Sequence, residues 1–157
     1  MKITFLVIGK TEGGYLAEGI EKYVQRLNKY VQFEIITRPV PKKWQALPAD
    51  RRTEQEGQII MDYLKDNDYS VLLDEKGRAF SSRQFAEFIK SRMVRSTKRL
   101  LFVAGGPWGF SDEVKSAATM QLSLSPMTFS HQMVRLIFTE QLYRAFSIIR
   151  GEPYHNA

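Results

Sequence analysis

The sequence predicts an α/β fold, an open parallel sheet with helices on both sides. Strand-length apolar runs alternate with segments of helical period along the whole chain. The strand-type runs are also almost continuously apolar, as in sheets covered on both faces. No internal repeat, low-complexity tract or composition shift interrupts the alternation, so residues 1–157 read as one domain. A chain of that length buries about 70% of the surface its unfolded form exposes and needs no helper domain.

Lys2–Ile8 is the first expected strand, mostly apolar and therefore central. Tyr15–Leu27 follows as a helix, with Leu16, Ile20, Tyr23, Val24 and Leu27 on one stripe. Residues 31–37 are the second strand. Residues 38–50 contain Pro39, Pro41 and Pro48, which lack amide protons and fix φ, so an exposed loop is expected there. Residues 51–65 form a helix with Ile59, Ile60, Tyr63 and Leu64 inward, and residues 69–74 a third strand. Ser81 and Ser82 cap a helix whose Phe85, Phe88 and Ile89 face the core. Residues 100–104 are the fourth strand, Ser111-Asp112-Glu113 opens a short helix with an acidic first turn, and residues 122–124 are a short fifth strand.

The last helix, residues 131–149, is apolar almost all round, from Met133 and Val134 through Phe138 and Leu142 to Ile148 and Ile149. One face on a sheet requires only a stripe somewhat wider than about 100°. A second covered face is therefore expected, and a two-fold homodimer would supply it.

Composition narrows the function. The chain has no cysteine, which excludes disulfides, zinc–thiolate sites and thiol nucleophiles. No apolar run approaches the roughly 18 residues needed to span a bilayer, and the amino-terminal run is too short for a signal peptide, so a soluble cytoplasmic protein is expected. The net charge of +6 is uneven. Residues 1–78 hold 13 basic and 12 acidic side chains and residues 79–157 hold 10 and 5, while residues 76–99 carry eight basic residues against Glu87. Such an excess either collects a polyanion by counterion release or is a solvated helix face; proximity to an active site would favour the first.

In open α/β sheets the ligand crevice lies beyond the carboxyl ends of the strands. That places weight on Leu73-Asp74, on Ala104-Gly105-Gly106 and on Leu124-Ser125-Pro126, where glycine lets backbone approach a ligand or simply makes a tight turn. Gly9-Lys10-Thr11 is not a phosphate loop, because the position five before Gly9 is Thr4. No G-x-G-x-x-G follows the first strand, and the two histidines, His131 and His155, have no carboxylate cluster beside them that would suggest a metal. His131 either caps the last helix, the reading preferred, or takes part in catalysis. Trp108, Phe110 and Phe80 either stack on RNA or pack in the core.

Taken together, Leu72-Leu73-Asp74-Glu75-Lys76-Gly77, Gly105-Gly106-Pro107-Trp108-Gly109, the stretch from Leu122 to Phe129, Leu142-Tyr143-Arg144-Ala145 and Pro153-Tyr154-His155 have the order and spacing of one family. The chain resembles the large-subunit ribosomal RNA methyltransferase H family, pseudouridine N3-methyltransferases of the SPOUT class, over essentially its whole length. The resemblance implies a carboxyl-terminal trefoil knot. It also implies S-adenosylmethionine as methyl donor, touching Leu73, Gly105, Leu124, Ser125, Pro126, Met127, Thr128 and Phe129. The pattern departs from the family's at Ser130, where proline is common.

The implied reaction moves a methyl group from a sulfonium to ring nitrogen N3 of a pseudouridine in 23S ribosomal RNA, on assembled ribosomes. That nitrogen is an imide and a poor nucleophile until it loses its proton. His155 is the first candidate for managing the proton, Tyr154 for stacking on or positioning the base, and Arg144 for anchoring phosphate or stabilising the imide anion. Each also has a structural reading, as a frayed end, a packing anchor and a salt bridge. A non-catalytic ribosome- or RNA-binding factor is the alternative that the basic second half alone would support.

Overall fold

The computed structural model describes residues 1–156; Ala157 lies outside the described residues. The elements are β1 (Lys2–Ile8), α1 (Tyr15–Leu27), β2 (Gln32–Arg38), α2 (Ala49–Lys65), β3 (Tyr69–Ala79), α3 (Ser82–Val94), β4 (Arg99–Ala104), α4 (Asp112–Ala117), β5 (Met120–Ser123) and α5 (Met133–Arg150). The five strands form one sheet in the order β2-β1-β4-β3-β5, and every pairing is parallel. This is the α/β architecture expected.

Alternation along the strands explains why both faces are covered. Ile3, Phe5 and Val7 of β1 and Leu100, Phe102 and Ala104 of β4 point into one apolar core, with Leu27 of α1, Phe85 and Ile89 of α3 and Phe138, Leu142 and Phe146 of α5. Leu6 and Ile8, and Leu101 and Val103, point the other way, toward Ile60 of α2 and Val114 of α4. A period of two with both phases apolar is what a sheet between two helical layers requires. Phe138 sits at the centre of the larger core, with ring centroids 4.5 Å from Phe5 and 4.7 Å from Phe102.

Local chemistry sets the helix ends. Ser81 caps α3 in a full capping box: its hydroxyl accepts from the Gln84 amide at 3.1 Å and its own amide donates to the Gln84 side chain at 2.8 Å. The Ser111 hydroxyl caps α4 more simply, accepting from the Val114 amide. Gly151 ends α5 in the left-handed region, φ 69°, which a side chain would strain.

Several expectations need correction. The proline-rich stretch is not wholly a loop: β2 runs through Arg38, a 3-10 turn spans Lys42–Ala46, and α2 begins at Ala49. Pro41 and Pro48 each stand just before a helical turn, where a missing amide proton costs nothing. Strand β3 continues beyond residue 74 to Ala79, because after an irregularity Arg78 and Ala79 pair with Leu122 and Ser123 of β5. Helix α5 starts at Met133, two residues later than expected.

Its second face is covered within the chain. Helices α1 and α3 flank α5 on the same side of the sheet, and along α5 only Arg150 is exposed. A twin subunit is therefore not required to bury this helix, and the argument for one must come from elsewhere. No helix of the described residues is long and apolar enough to cross a membrane.

Candidate active site

The carboxyl ends of β3, β4 and β5 open onto a cleft of about 580 Å³, walled by Leu73 to Lys76, by Ala104 to Phe110 and by residues from Leu122 to Val134. Its position follows the rule for open parallel sheets. Close backbone approach is enforced at the wall. A Cβ on Gly105 would lie 3.1 Å from the Gly109 carbonyl and from the Phe110 ring, and one on Gly106 would run into the Glu56 carboxylate. The Gly109 amide donates to the Gly106 carbonyl at 3.2 Å, closing a tight turn that leaves Trp108 60% exposed on the rim.

Seven of the eight residues expected to hold a methyl donor line this cleft: Leu73, Gly105, Leu124, Ser125, Met127, Thr128 and Phe129. Pro126 does not; it is exposed at the apex of a turn. The Ser125 hydroxyl accepts from the Met127 amide at 2.9 Å and so shapes that turn. Thr128 reaches across the mouth, donating to the Glu75 carboxylate at 2.6 Å. Asp74 accepts from the Lys76 amide at 2.9 Å and lies 3.9 Å from the Lys115 ammonium.

His131 also lines the cleft and is not the cap of α5. The Ser130 hydroxyl accepts from the Met133 amide at 3.1 Å and shapes the turn into α5, whose N-cap residue, Gln132, makes no side-chain cap bond. Burial, then the nearby Arg135 and Arg52 charges, hold the His131 imidazole below its ordinary pKa against an opposing pull from Glu12. The imidazole is thus neutral at pH 7, with the free base facing the cleft.

Two further charged residues support this corner and escaped the sequence reading. Arg135 is 1% exposed, and its guanidinium donates to the carbonyls of Ile8 and Gly9 and to the Thr11 hydroxyl, each at 2.9 Å. Burial brings its pKa down to about 10. Gln132 grips the same loop, donating to the Lys10 carbonyl and accepting from the Glu12 amide. Glu56, 2% exposed, lies 3.6 Å from Arg52 with neither carboxylate oxygen hydrogen-bonded among the described residues, and burial raises its pKa despite Arg52. The available signal was a charge on an inward stripe, since Glu56 precedes Ile59 and Ile60 by three and four positions.

Arg144, Tyr154 and His155 come together, but away from this cleft. The Glu140 carboxylate accepts from Arg144 at 2.6 Å and from the Tyr154 hydroxyl at 2.9 Å, while Tyr154 also meets the Tyr23 hydroxyl at 3.2 Å. Arg144 sits over the Tyr154 ring and approaches His155 Nδ1 at 3.2 Å. A guanidinium only donates, so Nδ1 accepts and the imidazole proton sits on Nε2. Burial, then the Tyr23 and Glu140 hydrogen bonds, raise the Tyr154 pKa, so the phenol stays protonated. Arg144 is ten residues beyond Val134, the last cleft residue on α5, or about 15 Å along the helix.

Most of the basic run lies away from the cleft. Lys76 lines it, but α3 carries the chain back toward the amino ends of the strands, where Lys90, Arg92, Arg95, Lys98 and Arg99 lie. No group of three or more His, Cys, Asp or Glu among the described residues is placed to hold a metal ion.

Comparison with known proteins identifies the family. A family model described as "Predicted SPOUT methyltransferase" matches residues 1–155. The chain is 50% identical to the ribosomal RNA large subunit methyltransferase H of Parabacteroides distasonis over 156 residues, 99% of each chain. It is 49% identical to the protein of that name from Christiangramia forsetii and 46% to that from Porphyromonas gingivalis, again over 99% of each. Among solved structures, a probable methylase family protein from Haemophilus influenzae superposes with a TM-score of 0.58 at 12% identity, covering 99% of this chain and 70% of that one. A probable methyltransferase from Bordetella pertussis gives 0.56 at 10%, covering 92% and 95%. These two distant likenesses speak for the fold. The match over residues 1–155 and the full-length identity speak for more, and the chain belongs to the SPOUT methyltransferase family.

Proposed function

We propose that this protein transfers a methyl group from S-adenosylmethionine to large-subunit ribosomal RNA, at N3 of a pseudouridine as the family resemblance implies. One observation carries the reading: seven motif residues from three separate strand ends meet around a single cleft. The residues present suit the donor. Leu73, Met127 and Phe129 offer apolar surface to adenine and the methionine chain, and backbone around Gly105 and Leu124 can pair with the adenine edge. Asp74 and Glu75, beside Lys76 and Lys115, offer groups of both signs to a zwitterionic ligand such as the donor's amino-acid end. When bound, the sulfonium supplies an electrophilic methyl carbon.

The chain's own part is to hold the acceptor base, exclude water and manage the N3 proton. Loss of that proton makes an anion that meets a cation, so charge disappears on reaction and a dry cleft favours it. We assign the tail residues Arg144, Tyr154 and His155 to the acceptor side of the cleft of a partner subunit in a homodimer. Their distance of about 15 Å along α5 from their own cleft supports this. There the Nε2–H of His155 would donate to a base oxygen and Arg144 would offset the imide anion. The trefoil knot implied by the resemblance would lie where residues 124–131 cross the irregular segment of β3. The Glu75–Thr128 bond supports that, as does the close fit of Gly77, whose Cβ would meet the Gln121 backbone at 2.6 Å. A ribosomal substrate places the protein in the cytoplasm.

The test is mass spectrometry of ribosomal RNA from a strain lacking the protein, with donor titration of the purified chain. Loss of one methylated pseudouridine, regained on complementation, is expected. Unchanged ribosomal RNA with no saturable donor binding would leave an RNA-binding factor instead.

A further inference from the structure

At the end of the sheet opposite the cleft, α3 turns into β4 through a knuckle that is basic and apolar together. Val94 is 76% exposed and Met93 45%. Lys90, Arg95, Lys98 and Arg99 are exposed around them, and no ion pair among the described residues involves any of the four. Three carboxylates lie near: Glu87 is exposed one turn before Lys90 on α3, Asp68 is held at the base of the knuckle itself, and Glu34 is paired. Asp68 accepts from the backbone amides of Lys98 and Arg99, at 3.0 and 2.8 Å, and Glu34 pairs with Lys2 at 2.7 Å. The knuckle is also rigid. The Ser96 amide donates to the Met93 carbonyl and the Thr97 amide to the Arg92 carbonyl, with Ser96 in the left-handed region at φ 58°. Beneath it the Arg92 guanidinium lies over the Tyr69 ring at 4.3 Å, fixing the helix end to β3.

We infer that this knuckle, residues 90–99, is a second footing on RNA, gripping phosphates remote from the methylated base while Met93 and Val94 lie against sugar edges. It rests on the reading that RNA is the acceptor. Unpaired cations displayed on a fixed turn release counterions from a polyanion without first breaking ion pairs, and they carry no sequence information. The shallow minor groove of an RNA helix exposes ribose to an apolar tip. Strand β4 separates the knuckle from the cleft by about 20 Å at 3.3 Å per residue. That span is several nucleotides long, so the footing falls on RNA flanking the target rather than on the target itself. A protein this small has little surface around its cleft for reading RNA, and a distant grip on the flanking RNA would orient it.

The test is the double charge reversal Arg95→Glu with Lys98→Glu in the full-length protein, beside Lys42→Glu with Lys43→Glu, which changes net charge equally on the exposed 3-10 turn. Binding to ribosomes and to protein-free large-subunit RNA is measured by cosedimentation over a salt series, with methyl-transfer kinetics and donor titration alongside. The knuckle variant is expected to bind both substrates about tenfold or more weaker near 0.1 M salt, with a salt slope shallower by about 1.5 to 2. KM for ribosomes rises while kcat and donor affinity hold. An effect no larger than that of the control pair overturns the footing. Weakened ribosome binding with unchanged binding to protein-free RNA overturns the assignment to RNA and points to a ribosomal protein. Should the wild-type chain transfer no methyl to ribosomal RNA, the functional reading fails, and the binding series still decides the footing.

Discussion

Thr128 donates its hydroxyl proton to the Glu75 carboxylate at 2.6 Å, and that bond joins the irregular middle of β3 to the loop after β5 across the mouth of the cleft. Both residues are exposed, so the bond is worth about 1 kcal/mol after competition with water. Thr128→Val removes the donor with little change of shape. The expected result is a three- to tenfold loss in affinity for S-adenosylhomocysteine by calorimetry, with thermal stability within about 0.5 kcal/mol of wild type. Unchanged affinity would mean that the two segments are held by the rest of the cleft wall.

His131 gives a pH signature. Its folded pKa lies below the ordinary value of about 6.5, through burial first and the Arg135 and Arg52 charges second. As pH drops through about 6.5 the unfolded chain therefore binds more protons than the folded one, and stability is lost as the pH is lowered through that window. Above 6.5 the penalty vanishes. Urea midpoints for wild type and His131→Gln, taken from pH 5 to 8, should converge at the upper end and separate at the lower, with wild type losing more. Parallel curves would show an imidazole that titrates as it does in the unfolded chain.

Phe138→Ala tests the packing that positions α5 and, through it, His131. The ring is fully buried between Phe5 and Phe102, so its removal costs both the transfer energy and the cavity left behind. A loss of about 3–5 kcal/mol is expected in denaturant unfolding. A loss below 1 kcal/mol would require the three-ring cluster to collapse around the gap.

Elements with a strong period were legible in the sequence. Strand β1 and helix α1 occur at the bounds expected, because continuous apolar runs and single stripes admit one reading. The cleft was legible too, since strand ends fix where a ligand lies once strand order in the chain is known. Long-range polar contacts were not. Nothing local says that Arg135 bonds to the carbonyls of Ile8 and Gly9, more than 120 residues away, or that Gln132 of the same turn grips the loop at Lys10 and Glu12 instead of capping α5. The covered second face of α5 was misread for the same reason: periodicity shows how much of a helix is apolar and not which neighbour covers it. The basic run was read as one patch because it is contiguous in sequence, whereas a 13-residue helix carries its two ends to opposite ends of the sheet.

The placement of the tail gives the sharpest prediction about assembly. Truncation after Gly151 removes Tyr154 and His155, and Gly105→Arg forces a side chain into a wall where even a Cβ lies 3.1 Å from the Gly109 carbonyl. Each variant alone is expected to lose methyl transfer, the first with donor binding retained and the second without it. If the tail serves the partner's cleft, mixing the two unfolded and refolding them together yields mixed dimers. In each, one intact cleft faces one intact tail, so up to about a quarter of wild-type activity should return when half the dimers are mixed. If the tail acts on its own subunit, no dimer combines both parts and activity stays at background. Sedimentation of the refolded mixture at micromolar concentration supplies the control, because a monomer of 18.2 kDa would exclude any exchange between subunits.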